Sequence, residues 1–212
     1  MKSRGVFVAI SSYANRSGTE KGMYKKLYKL AQELGVHNLI LFDSVPTGKL
    51  LKDTSEVLTP EQREEITKYS EYIFNNSIIP PLSSQSWQNS VEGYLAGIGC
   101  LAGNIQYYVS AYGDVSPCDF SPLSFGNIRH ESLKDIWRKI TDHPAFSYRA
   151  QFCRMQHEKF RQCYIDPLPD DSPLPYPIDK LPRVNFMQAQ KPSGGRVKRF
   201  CQKMTIFSSG GH

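Results

Sequence analysis

The chain has 212 residues, a net charge of +6, 40% hydrophobic residues and 12% aromatics, which is ample for one large or two small packed units and excludes a disordered class. It contains no run of 18 or more apolar residues, and the opening MKSRGVFVAISSYANRS returns to polar residues too soon for a secretory leader, so the expectation is a cytoplasmic protein with no membrane segment. The charge is uneven: seven Lys and Arg residues and no acid follow from Lys180 onward, and the rest is close to neutral. This tail has few rings to stack on bases and no nucleic-acid module, so it reads as a solvated end without a nucleic-acid partner.

In chain order, GVFVAISSY is an apolar run of strand length. Between Thr19 and Leu34, the residues Met23, Leu27, Leu30, Ala31 and Leu34 fall on one helical face, with Gly35 as terminator. Asn38 to Phe42 is a second buried strand, and Pro46, Thr47 and Gly48 turn the chain at its carboxyl end. Thr59-Pro60-Glu61-Gln62 is a capping box with proline at the first helical position, opening a helix to about Asn75 that buries Ile66, Tyr69 and Ile73. Strand, helix, strand, helix implies a parallel crossover unit with open edges, which depends on further structure to cover them.

Residues 76 to 99 hold Pro80, Pro81, several serines and Trp87, which places a boundary nearby. IQYYVS then alternates as a strand, Tyr112-Gly113-Asp114 turns, and Val115 resumes, so Cys100 and Cys118 bracket a hairpin. Ser132 and Asp135 cap a helix with Leu133, Ile136, Trp137 and Ile140 on one face, stopped at His143-Pro144. His130, His143 and His157 read as surface or capping residues and Trp137 as core. Cys153 and Cys163 form a second pair with nine residues between them, and IDPLPDDSPLPYPIDKLP is too rich in proline for helix or sheet. The packed core is therefore expected to end near Ile165, with Cys201 alone in the tail. Five cysteines in a reducing compartment favour metal binding over disulfides. From ligand chemistry alone, four thiolates suit a structural zinc as well as an iron-sulfur cluster.

The run Cys100, Ala102-Gly103, Tyr112-Gly113-Asp114-Val115-Ser116-Pro117-Cys118, Phe125-Gly126-Asn127-Ile128 and Leu133 to Trp137 resembles the auxiliary-cluster region of radical S-adenosylmethionine enzymes with a SPASM or shorter twitch extension. The family pattern is a cysteine, nine to fifteen residues, a glycine, four residues and a cysteine. Here twelve residues separate Cys100 from Gly113, and four separate Gly113 from Cys118. The resemblance implies an α/β fold: the last βα repeats of a partial (β/α) barrel over 1–78, a small α+β cysteine-rich SPASM or twitch-like domain over 79–165, and a Pro-rich, basic, poorly ordered tail over 166–212.

It further implies one auxiliary cluster, of the 4Fe-4S type, on Cys100, Cys118, Cys153 and Cys163, serving electron transfer or substrate positioning. The amides of the hairpin and of the Gly126-Asn127 turn would donate to its sulfurs. Val45, Pro46 and Gly48, after the second strand, would contact cofactor in an intact barrel. The chain departs from the family in lacking CxxxCxxC, the loop that binds the cluster that cleaves S-adenosylmethionine. The expectation is thus a portion that is not catalytic alone, using S-adenosylmethionine only when an N-terminal radical half or subunit completes it. The substrate, peptide or small molecule, is not legible, and a noncatalytic zinc- or cluster-binding module is the alternative.

Overall fold

Strand β1 (Ala9–Ala14) lies parallel to β2 (Asn38–Asp43), with Ala9 opposite Asn38 and Ala14 opposite Asp43. The connection runs through α1 (Arg16–Glu20) and α2 (Met23–Glu33), and α3 (Pro60–Asn75) follows β2. These positions come from a computed structural model, which describes residues 5–89 and 99–181. The capping box of α3 forms as its sequence requires: Thr59 Oγ1 accepts from the Gln62 amide at 3.2 Å, and Gln62 Oε1 from the Thr59 amide at 3.1 Å.

Two features of this unit differ from expectation. The helix expected from Thr19 is broken at Gly22, whose φ of +63° is left-handed, and the face that α2 buries is Tyr24, Tyr28 and Ala31, leaving Met23, Leu30 and Leu34 exposed. The reason is that a tyrosine can bury its ring while its hydroxyl finds a partner: Tyr28 donates to the Pro80 carbonyl at 2.7 Å and Tyr24 to Glu65 at 2.6 Å. The second difference is β3 (Leu82–Ser84), a third parallel strand that pairs with β2 through Leu39 and Leu82. The sheet order is β1-β2-β3, so the first unit extends beyond residue 78. Short helix α4 (Gln85–Gln88) follows directly.

The helices cover one face of this sheet. Ala14, Leu39, Leu41 and Leu82 pack there with Tyr24, Tyr28, Ile66 and Ile73 as one core, while Tyr13 and Phe42 remain exposed.

The second core gathers around the hairpin. Strands β4 (Tyr108–Val109) and β5 (Val115–Ser116) pair antiparallel, as the alternation predicts. Gly113, with φ of +91°, closes the turn where a Cβ would stand 2.6 Å from Asn127 Oδ1, so only glycine lets that amide lock the hairpin. Helix α5 (Leu133–Asp142) is capped by Ser132, whose hydroxyl accepts from the Asp135 amide at 3.2 Å. It inserts Ile136 and Ile140, both fully buried, each contributing about 1.5–3 kcal/mol. Trp137 is partly buried against this core and meets Tyr107 edge-on at 5.8 Å.

Helix α6 (Glu158–Tyr164) adds Phe160 and Tyr164. The packed structure does not end at Ile165: β6 (Leu123–Ser124) pairs parallel with β7 (Tyr176–Pro177), and Leu168 and Leu181 are buried in the same core. The proline-rich segment is folded because proline is tolerated on a two-residue edge pairing. Cys201 and the basic residues beyond Leu181 lie outside the described residues, as does most of the GYLAGIG stretch. No helix among the described residues is long and apolar enough to cross a membrane.

Candidate metal centre

Three of the four expected cysteine ligands come together. Cys100, Cys118 and Cys153 line one cavity of about 360 Å³, between the β2 and β3 side of the first unit and the hairpin domain. Each arrives on a different turn. Cys100 follows Gly99 and is held by its own amide, which donates to the Ala150 carbonyl at 2.7 Å. Cys118 follows β5, and Cys153 opens a short 3-10 turn over Arg154–Gln156.

Main-chain amides of Phe120 and Ser121 near the Cys118 thiol, and of Met155 and Gln156 near that of Cys153, favour the ionised sulfur, the Ser121 and Gln156 amides also donating to the Cys118 and Cys153 carbonyls at 3.2 and 3.1 Å. Such amides stabilise a thiolate over a thiol. Neither residue of the Gly126-Asn127 turn lines this cavity: the Gly126 amide donates to Ser124 Oγ and its carbonyl accepts from Val115, while the Asn127 side chain ties Tyr112 to Asp114.

Burial opposes ionisation at both sites. It pushes the Cys118 thiol up to about 11, with the charges of Cys100 and Asp119 adding repulsion. It raises Cys153 further, again with repulsion from Cys100 and Cys118. No Lys, Arg or His is among the described residues lining the cavity. Thiols crowded with one another, furnished with amide donors and given no cation have the chemistry of a metal-thiolate site, because a bound cationic centre removes the repulsion and deprotonates the thiols outright. The donor set therefore fits an iron-sulfur cluster.

Cys163 stands apart. It lies on α6, half-buried against the second core, and its thiol is raised by burial without contribution from the other three. It does not line the cavity. Nor do three His, Cys, Asp or Glu side chains among the described residues form a group that would hold a single metal ion. His130 and His157 are exposed. His143 caps α5, accepts from the Ala145 amide at 3.2 Å, and is enclosed by the Phe125 and Tyr164 rings.

The turn after β2 touches the cysteine turns directly. Thr47 Oγ1 donates to the Phe120 carbonyl at 3.1 Å, and Gln156 Nε2 donates to the Ser44 carbonyl at 2.6 Å. Val45 is packed against the second core, Pro46 is buried and Gly48 is exposed.

Two residues that sequence reasoning missed hold the centre in place. Arg154, buried, donates through Nε to the Ala145 carbonyl at 2.7 Å and through Nη1 to the Ala102 carbonyl at 3.4 Å, and also to the Tyr148 carbonyl. Arg161 donates to the Met155 carbonyl at 3.1 Å and to the Leu51 carbonyl at 2.6 Å, joining α6 to the loop after β2. Their only sequence signal is position, one next to Cys153 and one near Cys163.

A model of the SPASM family, an iron-sulfur cluster-binding domain, matches residues 100–165. The chain is similar to the AdoMet-dependent heme synthase of Methanosarcina barkeri, 30% identical over 152 residues, covering 60% of this chain and 43% of that protein. It is also similar to AdoMet-dependent heme synthases of Oleidesulfovibrio alaskensis, 28% identical over 158 residues (66% of this chain, 40% of the relative), and Nitratidesulfovibrio vulgaris, 24% over 171 residues (72% and 46%). The chain thus spans less than half the length of these relatives. No solved structure matches it. Three thiols on one cavity, inside a matched iron-sulfur cluster-binding domain and in a chain with these relatives, support a radical SAM/SPASM-type protein.

Proposed function

We propose that this chain holds one auxiliary 4Fe-4S cluster through Cys100, Cys118 and Cys153 and uses it to pass electrons or position substrate for a radical reaction begun elsewhere. The observation that carries the reading is that Cys100, Cys118 and Cys153 line one cavity within the matched iron-sulfur domain. A cluster is favoured over a single zinc because the family model that matches residues 100–165 is that of an iron-sulfur cluster-binding domain.

The sheet is read as the last strands of a partial (β/α) barrel. Its parallel order, helices on one face and exposed Tyr13 and Phe42 on the other support this. A segment or subunit bearing CxxxCxxC and the preceding strands would complete it and supply the S-adenosylmethionine site. In that barrel the turn after β2 lies at the carboxyl end of its strand, with Gly48 outward and Val45 and Pro46 turned into the protein. The relatives' name points to a tetrapyrrole as the substrate of the whole assembly.

Anaerobic reconstitution with iron and sulfide tests the cluster. The expected result is a brown protein with iron and sulfide in near-equal amounts, lost in a C100S/C118S/C153S triple variant whose fold is checked by circular dichroism. A colourless product that retains zinc overturns it.

A further inference from the structure

We propose that Asp119, and not Cys163, supplies the fourth protein ligand of the cluster, giving a centre with three thiolates and one carboxylate. This rests on the cluster reading above.

Asp119 lines the same cavity as Cys100, Cys118 and Cys153, and it is the one carboxylate among the described residues that does so. It follows Cys118 directly, on the turn whose next two amides point at the Cys118 sulfur. Its side chain is exposed, so it swings to a cluster corner without dragging the core. Cys163 would have to leave its packing on α6, between the buried Arg161 and Tyr164, to reach the same place.

The electrostatics agree with the geometry. Three thiols and one carboxylate line the cavity, and no Lys, Arg or His among the described residues does, so a cationic cluster meets no competing cation there. A carboxylate oxygen is a harder, weaker donor to iron than a thiolate, so the iron it holds is the one that exchanges its ligand most readily.

The test compares wild type with C163S, D119N and D119C after anaerobic reconstitution, reading iron and sulfide content, the EPR spectrum of the reduced cluster and its midpoint potential. The expected result is that C163S superposes on wild type, that D119N has an altered spectrum, and that D119C takes up a full cluster at a more negative potential. A wild-type-like D119N, or a C163S that loses iron or shifts in spectrum or potential, overturns the assignment. If wild type itself takes up no iron and sulfide, the cluster reading fails, and the ligand assignment fails with it. Because Asp119 is exposed, the melting temperatures of the apoproteins are expected to coincide within error, which separates ligand loss from misfolding.

Discussion

The main-chain amide of Cys100 donates to the Ala150 carbonyl at 2.7 Å, which lays the first cysteine turn beside the segment that leads to Cys153. The approach is allowed by Gly99: its φ is +69°, and a Cβ there would stand 2.3 Å from the Ala150 oxygen. Gly99→Ala therefore meets both backbone strain and a collision with main chain. It is expected to destabilise the protein by about 1–3 kcal/mol and to lower iron uptake on reconstitution. Gly22→Ala is the control, since φ is +63° there but the space around a Cβ is open; its cost should be smaller, and its iron content that of wild type. Urea melts and iron assays check both, and equal losses in the two variants would deny Gly99 its special place.

Arg154 brings a second prediction. Among the described residues its hydrogen bonds all end on carbonyl oxygens, those of Ala102, Ala145 and Tyr148, and its guanidinium lies over the Phe146 and Tyr148 rings at 4.9 and 5.0 Å. Ala102 lies two residues after Cys100, and Arg154 itself follows Cys153, so one side chain ties two cysteine turns together. Arg154→Met leaves the buried Ala145 carbonyl without this donor and removes those to Tyr148 and to Ala102, the last of which keeps Asn104 Nδ2 at 3.1 Å, and should cost about 1–3 kcal/mol. Arg154→Lys keeps the charge but loses the planar fork that spans separate segments, and should recover less than half of that loss. Chemical denaturation of the apoproteins measures both; a lysine variant as stable as wild type would show that charge alone suffices.

Local signals made much of this fold legible. The α3 start, with Thr59, Pro60 and Gln62, and the α5 cap at Ser132 are complete within a few residues, and both formed where the sequence placed them. The hairpin was legible for the same reason, because alternation and a glycine turn are short-range features. What escaped depends on residues far away. The buried face of α2 is decided by hydroxyl partners at Pro80 and Glu65, more than forty positions along the chain. Strand β3 is three residues long and serine-rich, and only its pairing with β2 makes it a strand. At the candidate metal centre, spacing pointed to Cys100 and Cys118 but carries no information on direction, so it could not separate Cys153, which lines the cavity, from Cys163 on α6, or show that Asp119 lines it with them.

His143 makes stability depend on pH in a way that a single substitution isolates. Its ring is enclosed by Phe125 at 5.3 Å and Tyr164 at 5.5 Å, and its Nδ1 accepts from the Ala145 amide at 3.2 Å, a bond made by the neutral ring. Burial holds its pKa below the ordinary histidine value. The sign follows from linkage: the unfolded chain binds the proton more readily, so the contribution of neutral His143 is complete above the unfolded value near 6.5 and is lost as pH falls through it, levelling off below the depressed folded value. The slope in that window is at most about 1.4 kcal/mol per pH unit. Asp114, Glu131, Lys139, Asp142 and Asp179 line the same cavity of about 740 Å³ and are common to both proteins, so the difference between them isolates the histidine. Between pH 7.5 and 5, urea melts of wild type should lose more stability than those of His143→Gln, and parallel curves would place the imidazole in a more solvated setting than its ring contacts imply.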